Sequence, residues 1–222
     1  MDLETHINVK EQRHWNKESS WINRGDEWNH DLGMDYMWET LISPSIKPYA
    51  KGKVLEIACG FGRITHEVLE RCPEIEHLYV SDLNEKCISK CAERFGNRIS
   101  GYYVNNGSSL EMIPSEFLDF VFSYDSFVHI HMDIVVSYLK EIARILKPGG
   151  VCSLHVSSLS GGEDLSFDNL GGRANFDRDR FEESIELCNL TIITETPIRA
   201  NHFSEAEDTF FTIKKGQITK NP

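Results

Sequence analysis

The 222-residue sequence predicts a doubly wound α/β fold, with a mostly parallel seven-stranded sheet, an antiparallel C-terminal hairpin and an N-terminal helical extension. Three observations predict it. From about residue 51, short β-branched and aromatic runs alternate with amphipathic helical runs, the pattern of parallel strands joined by helical crossovers. After residue 189 the alternation stops, and two strand-like runs follow with a connection too short and polar for a crossover helix. The first fifty residues lie outside the alternation and hold all four tryptophans, Trp15, Trp21, Trp28 and Trp38.

The elements follow in order. KVLEIA (53–58) reads as a strand and GRITHEVLERC (62–72) as a helix. HLYVSD (77–82) is the second strand, and Asn84 caps the helix EKCISKCAERF, which Gly96 closes. GYYVNN (101–106) and LDFVFSY (118–124) are the third and fourth strands, IVVSYLKEIARIL (134–146) a long amphipathic helix, and VCSLHVSS (151–158) the fifth strand after the turn KPGG. RDRFEESIELCN reads as a helix, and LTIITETPI and DTFFTIKK pair as the terminal hairpin.

The length suits one buried core, so the predicted organisation is a domain over 51–222 with an extension over 1–50. Apolar runs are only a few residues long, far below the ~20 needed to span a bilayer, so a soluble protein without membrane partners is expected. The stretch MDLETHINVKEQRHW lacks both the apolar core of a secretory signal and the acid-poor pattern of a transit peptide, which places the chain in the cytoplasm. Net charge is −12 and the 23 Lys and Arg are scattered, so binding to nucleic acid is not expected. The six cysteines show no CxxC spacing, which points to reduced thiols rather than a zinc or dithiol site. Oligomeric state is not legible.

VLEIACGFGRITHEVLE (54–70) carries the strongest chemical signal: a strand runs through two glycines into a helix, so a ligand approaches the backbone closely. A nucleoside triphosphate would want GxxxxGK[ST], and no such lysine follows. A dinucleotide would want a third glycine where Thr65 stands, and would bring its pyrophosphate against Glu56. S-adenosylmethionine carries a sulfonium and an ammonium, which a carboxylate attracts. Asp82, 22 positions after Gly60, suits an acid that accepts from ribose hydroxyls. At NNGSS (105–109) an amide side chain and the following backbone N–H groups suit adenine, or form a plain Asn-Gly turn.

With these segments the sequence resembles the class I S-adenosylmethionine-dependent methyltransferases, a Rossmann-like family. VLEIACGFG matches the glycine-rich motif, SDLNEKCI the ribose acid, NNG the adenine turn, LDFVFSYDSFVHI the fourth strand and LKPGGVCSL the next helix-to-strand turn, over roughly 51–156. The resemblance implies that Glu56, Gly60 and Gly62 face the methionine part, flanked by Ala58, Cys59 and Arg63. It places Asp82 and Leu83 at the ribose, Asn106, Gly107 and Ser108 at the adenine, and the stretch Ser123, Tyr124, Asp125 and Ser126 at the methyl group and acceptor. Ala58 stands where the family usually has its first glycine, and Asn106 where it often has an acid.

A weaker resemblance, through DSFVH and KPGG, is to bacterial methyltransferases of sugar and polysaccharide biosynthesis. It implies a small-molecule hydroxyl acceptor, which needs a base. His129, just past the fourth strand, is the first candidate and His155 the second; His131 is a third, although His131 and Asp133 also suit a helix cap and His155 a hydrogen-bonded core position. The spacing HxHxD (129–133) leaves a divalent metal as a minor alternative, and no metal is expected. An amine acceptor or a non-catalytic cofactor-binding module are the competing functions. The extension is expected to form a lid over the acceptor, with Trp21 and Trp28 as substrate contacts.

Overall fold

The alternating runs pair as the pattern requires. A computed structural model describes residues 33–160, 173–199 and 207–217, so the expectations for Trp15, Trp21 and Trp28 lie outside the described residues. Strands β1 (Gly52–Ile57), β2 (Ile75–Asp82), β3 (Gly101–Val104), β4 (Leu118–Ser123), β5 (Leu146–Ser157), β6 (Leu190–Arg199) and β7 (Glu207–Lys215) form one sheet in the order β3-β2-β1-β4-β5-β7-β6. β1–β2, β2–β3 and β4–β5 are parallel, whereas β5–β7 and β6–β7 are antiparallel, so the terminal hairpin lies at one edge.

The chain divides into two compact units, one ending at Ser109 and one beginning at Leu110. Within the first unit Arg71 ties the end of the extension to the first crossover helix. Helices α1 (Met34–Met37) and α2 (Ser43–Ile46) are joined by a π-helical turn, Trp38–Ile42. Trp38 is fully buried there, with the Arg71 guanidinium 5.9 Å from its ring centroid. Arg71 also pairs with Asp35 and with Glu67, the latter at 2.6 Å. Trp38 is therefore a core anchor rather than part of an open pocket.

Within the first unit, α3 (Arg63–Arg71) buries Ile64, Thr65 and Val68, and α4 (Glu85–Phe95) buries Cys87, Ile88, Cys91 and Phe95, the i, i+3/i+4 spacing of one helix face. Asn84 caps α4 by accepting from the Lys86 N–H at 2.9 Å. In the second unit, α5 (Met132–Ile145) lays down a longer stripe that includes Ile134, Tyr138, Leu139 and Ile142, and α6 (Arg178–Leu187) is capped by Asp177.

Of the boundaries that differ from the sequence-based expectation, two bear on the loops. Strand β3 stops at Val104, so both asparagines of NNG lie in the loop beyond it. β5 pairs with β4 from Leu146 onward, and KPGG is an excursion within it: Leu118 faces Leu146, and Phe120 already faces Val151. Gly150 is required in that excursion, because a Cβ there would lie 2.9 Å from the Lys147 carbonyl oxygen and 3.2 Å from that of Asp119.

Candidate functional site

The first unit gathers its polar groups at the carboxyl ends of β1, β2 and β3. Register puts Ile57 opposite Ser81, so β1 runs out one residue before Asp82 ends β2. The Cys59 N–H then donates to the Ser81 carbonyl at 3.1 Å, and the Gly60 N–H donates to Asp82 Oδ2 at 2.9 Å. Asp82 Oδ1 accepts from the Asn84 N–H at 2.8 Å. The acid read as a ribose ligand therefore also fixes the glycine loop and the entry to α4. Each carboxylate oxygen has a second lone pair, so holding the loop leaves Asp82 capacity for ribose hydroxyls.

Gly60 and Gly62 both have positive φ, 54° and 80°, and so does Ala58 at 59°. The position at which the resemblance expects a glycine is thus one whose backbone favours glycine. An alanine in the left-handed region costs about 1–2 kcal/mol, partly offset by the flexibility that glycine adds to the unfolded chain. Ala58→Gly is expected to raise unfolding stability by up to about 1 kcal/mol, read as a higher urea midpoint at unchanged slope.

Glu56 is buried at the end of β1 and accepts from Thr65 Oγ1 at 2.5 Å. Burial raises its carboxyl to about 8, the Thr65 hydrogen bond works against this, the neighbouring Asp82 adds to it, and the Arg63 charge opposes it. Burial likewise raises Asp82 to about 6, against the pull of the Asn84, Gly60 and Leu83 backbone N–H groups. Among the described residues no cation forms an ion pair with either acid. Two buried acids that lack a paired cation suit a positively charged guest and disfavour a phosphate.

Beyond β3 the geometry corrects an expectation. Asn105, not singled out by sequence, is buried, and its Oδ1 accepts from the Gly107 N–H at 2.8 Å. Exposed Asn106 accepts from the Ser108 and Ser109 N–H groups at 3.0 and 2.8 Å. The backbone donors expected to face adenine ring nitrogens are thus already paired with asparagine side chains, because both residues form local turns.

The second unit holds the remaining candidates. Ser123 ends β4 fully buried, and Tyr124 stacks on His155 with ring centroids 4.9 Å apart. Asp125 has φ 56°, and its N–H donates to His155 Nδ1 at 3.0 Å. His155 is only 3% exposed, with Nε2 3.4 Å from Asp208 Oδ2. Its Nδ1 lone pair is already engaged, which leaves the ring proton on Nε2 facing Asp208. The expectation that His155 removes a proton from an acceptor does not fit: it is a core residue that braces the loop after β4.

Asp208 also receives a 2.7 Å bond from buried Arg173. Burial alone would raise the Asp208 carboxyl, but contact with His155 and the bond from Arg173 outweigh it and hold the group below its ordinary value. The His155 contact is long for a hydrogen bond, so Arg173 supplies the short one. His131 caps α5 by accepting from the Asp133 N–H, and Asp133 pairs with Arg180. Among the described residues no group of three His, Cys, Asp or Glu is placed to hold a metal. His129 ends a short 3₁₀ turn, Phe127–His129, half-buried, with its N–H on the Ser126 carbonyl at 2.9 Å. Thr65, Asn105, Arg173 and Asp208 were missed from sequence; the only local hint was an acid at the start of a strand, Asp208.

Residues 54–150 match the family described as "Methyltransferase domain". That segment contains the glycine loop, Asp82 and the asparagine turn. The chain is 25% identical over 121 residues to the ubiquinone/menaquinone biosynthesis C-methyltransferase UbiE of Desulfotalea psychrophila, covering 54% of this chain and 48% of that protein. It therefore spans about half the length of that curated relative. Among solved structures it is similar to an S-adenosylmethionine-dependent methyltransferase of Leishmania major (TM-score 0.67, 12% identity, covering 95% of this chain and 85% of the other). It is also similar to the [4+2]-cyclase SpnF (TM-score 0.63, 14% identity, 80% of each chain). At these identities the structural likeness carries the fold alone, a Rossmann-like α/β sheet. Among the described residues no helix is long and apolar enough to cross a membrane.

Proposed function

We propose that the chain is an S-adenosylmethionine-dependent methyltransferase acting on a small molecule. The observation that carries this is the glycine loop within the matched segment, pinned to Asp82 and set beside the buried Glu56. In this reading Glu56, Gly60 and Gly62 hold the methionine part with Ala58, Cys59 and Arg63 around it, and Asp82 and Leu83 hold the ribose. The 105–108 turn lies along the adenine and offers side-chain amides rather than free backbone donors. The cofactor supplies an electrophilic methyl group; the residues of the chain bind and orient it and handle the acceptor's proton.

A hydroxyl acceptor is the favoured substrate class, with His129 as the base that takes its proton and the loop 123–126 alongside the acceptor. A sugar or nucleotide-sugar is supported only by the resemblance of the DSFVH and KPGG segments. A carbon acceptor is the second reading, favoured by the C-methyltransferase relative; an acidic carbon also needs a base, so His129 serves both. An amine acceptor would need no strong base. A screen for S-adenosylhomocysteine release with pooled nucleotide-sugars, quinols, phenols and amines tests the reading, and failure to bind S-adenosylmethionine overturns it.

Binding should be linked to proton release. Glu56, raised to about 8, is protonated near neutrality in the free protein, and a cationic guest favours the carboxylate. Cofactor affinity is expected to rise between pH 6 and 7.5, by up to about tenfold per pH unit. Calorimetry in buffers of different ionisation enthalpy should show about one proton released per site. In the free protein the sign is opposite. The folded-state value lies above the ordinary one, so the native state holds an extra proton between about 4.5 and 8, and the contribution of Glu56 to stability falls as pH rises through that window.

A further inference from the structure

We propose that Cys59 and Cys91 form a thiol–disulfide site that controls the glycine loop, with a peroxide as the oxidant. Their sulfurs lie 3.7 Å apart, Cys59 on the loop and Cys91 on the buried face of α4. Both thiols are directed at one acceptor, the Gly60 carbonyl, at 3.6 Å from Cys59 and 3.3 Å from Cys91. Gly60 is thereby held from both ends, its N–H by Asp82 and its carbonyl by two S–H groups. Cys59 thus stands in the loop read as flanking the methionine part, and Cys91 lies behind that loop on α4.

A disulfide bond of about 2.05 Å needs the two sulfurs to approach by about 1.7 Å, and it removes both S–H donors from the Gly60 carbonyl. The loop has little room to absorb that movement. A Cβ on Gly62 would collide with the Phe95 ring and lie 3.2 Å from Cys91 Sγ, so α4 already touches the loop backbone. Closing the bond therefore shifts the peptide that Asp82 anchors. Cys87, also buried on α4, makes no hydrogen bond to the loop among the described residues and is not part of the pair.

The chemistry balances with one peroxide. Cys59 is the more exposed residue, at 5% against 0% for Cys91. Its sulfur attacks one peroxide oxygen, breaking the O–O bond to give a sulfenic acid and one water. Cys91 sulfur then displaces the sulfenic hydroxyl, forming the S–S bond and a second water. The two thiols lose two electrons and the peroxide gains them; both thiol protons leave in water. Contact with Cys91 and burial push the Cys59 thiol above its ordinary value, so oxidation is slow and is followed over hours.

The consequence for affinity rests on the glycine loop being the S-adenosylmethionine site, and the test separates the two. The full-length protein is incubated with hydrogen peroxide, alkylated and mapped by mass spectrometry without reduction. A peptide pair joined through Cys59 and Cys91, two hydrogens lighter and released by a thiol reductant, is expected. Calorimetry with S-adenosylmethionine should show affinity reduced about tenfold after oxidation, the scale of one lost hydrogen bond, and restored by reduction. Cys91→Ala should lose the oxidant sensitivity; if that variant does not fold, the map of the wild-type protein still decides. Free thiols, separate sulfinic acids, a different cysteine pair, or a Cys59–Cys91 bond with unchanged affinity would each overturn the proposal. A reduced protein that binds no S-adenosylmethionine would instead remove the cofactor reading, with the peptide map still deciding whether the bond forms.

Discussion

Arg173→Met is expected to destabilise the protein by about 3–5 kcal/mol, the scale for removing one partner of a buried ion pair. Arg173 and Asp208 are each 2% exposed and joined at 2.7 Å. Methionine fills similar volume, so the loss comes from a carboxylate left in the core with only the long His155 contact. Chemical unfolding at neutral pH measures it. Asp208→Asn in the same chain removes the stranded charge, and the double variant should be more stable than Arg173→Met alone.

The pH dependence carries the same logic. In the wild type the Asp208 carboxyl is held below its ordinary value, so its contribution is present above that value and is lost as pH falls through the lower, folded-state one. Without Arg173, burial dominates and raises the group, so the variant is relieved in acid. The gap between wild type and variant should therefore narrow as pH falls. A gap that stays constant with pH would show that the ion pair is not its source.

The strand–helix alternation, the terminal hairpin and the glycine loop were legible because their signals are local; the order of the strands was not read. VLEIACGFG turns from strand to helix within nine residues, and the acid at the end of the next strand, Asp82, belongs to the same kind of unit. The double duty of Asp82 was not legible: the Gly60 N–H reaches it only because β1 and β2 pair in a register that sequence does not state. The asparagine turn was read, but with its asparagines still in the third strand, and its backbone donors were not legible, since either the side chains or a ligand could have taken them. His155 read equally as base or core residue until its partners appeared, and those come from residue 125 before it and residue 208 after it. Arg173 and Asp208 lie 35 positions apart with no periodicity linking them. The acceptor lies furthest from view, because in such folds it is chosen by extensions and loops rather than by the sheet.

His129→Gln is expected to lower the turnover number by roughly 10² to 10⁴ while leaving S-adenosylmethionine affinity and folding in place, if the acceptor is a hydroxyl or an acidic carbon. The loop that carries His129 is braced at two points: the Asp125 N–H donates to His155 Nδ1 and the Val128 carbonyl accepts from the Ala174 N–H at 2.8 Å. Ala174 follows Arg173, so the buried Arg173–Asp208–His155 chain supports the turn from which His129 projects. A base must be held in one orientation, and this bracing supplies it. Glutamine keeps polarity and approximate size but takes no proton. With the acceptor identified by the screen, the wild-type rate should fall in acid as the imidazole becomes protonated, and the residual rate of the variant should lose that limb. A structural His129 predicts instead a lower melting temperature with near-normal turnover in the folded fraction, and an amine acceptor predicts turnover that survives the substitution. Unchanged turnover together with unchanged stability would leave His129 without a part in the reaction, and the proton would have to leave through the acceptor or solvent.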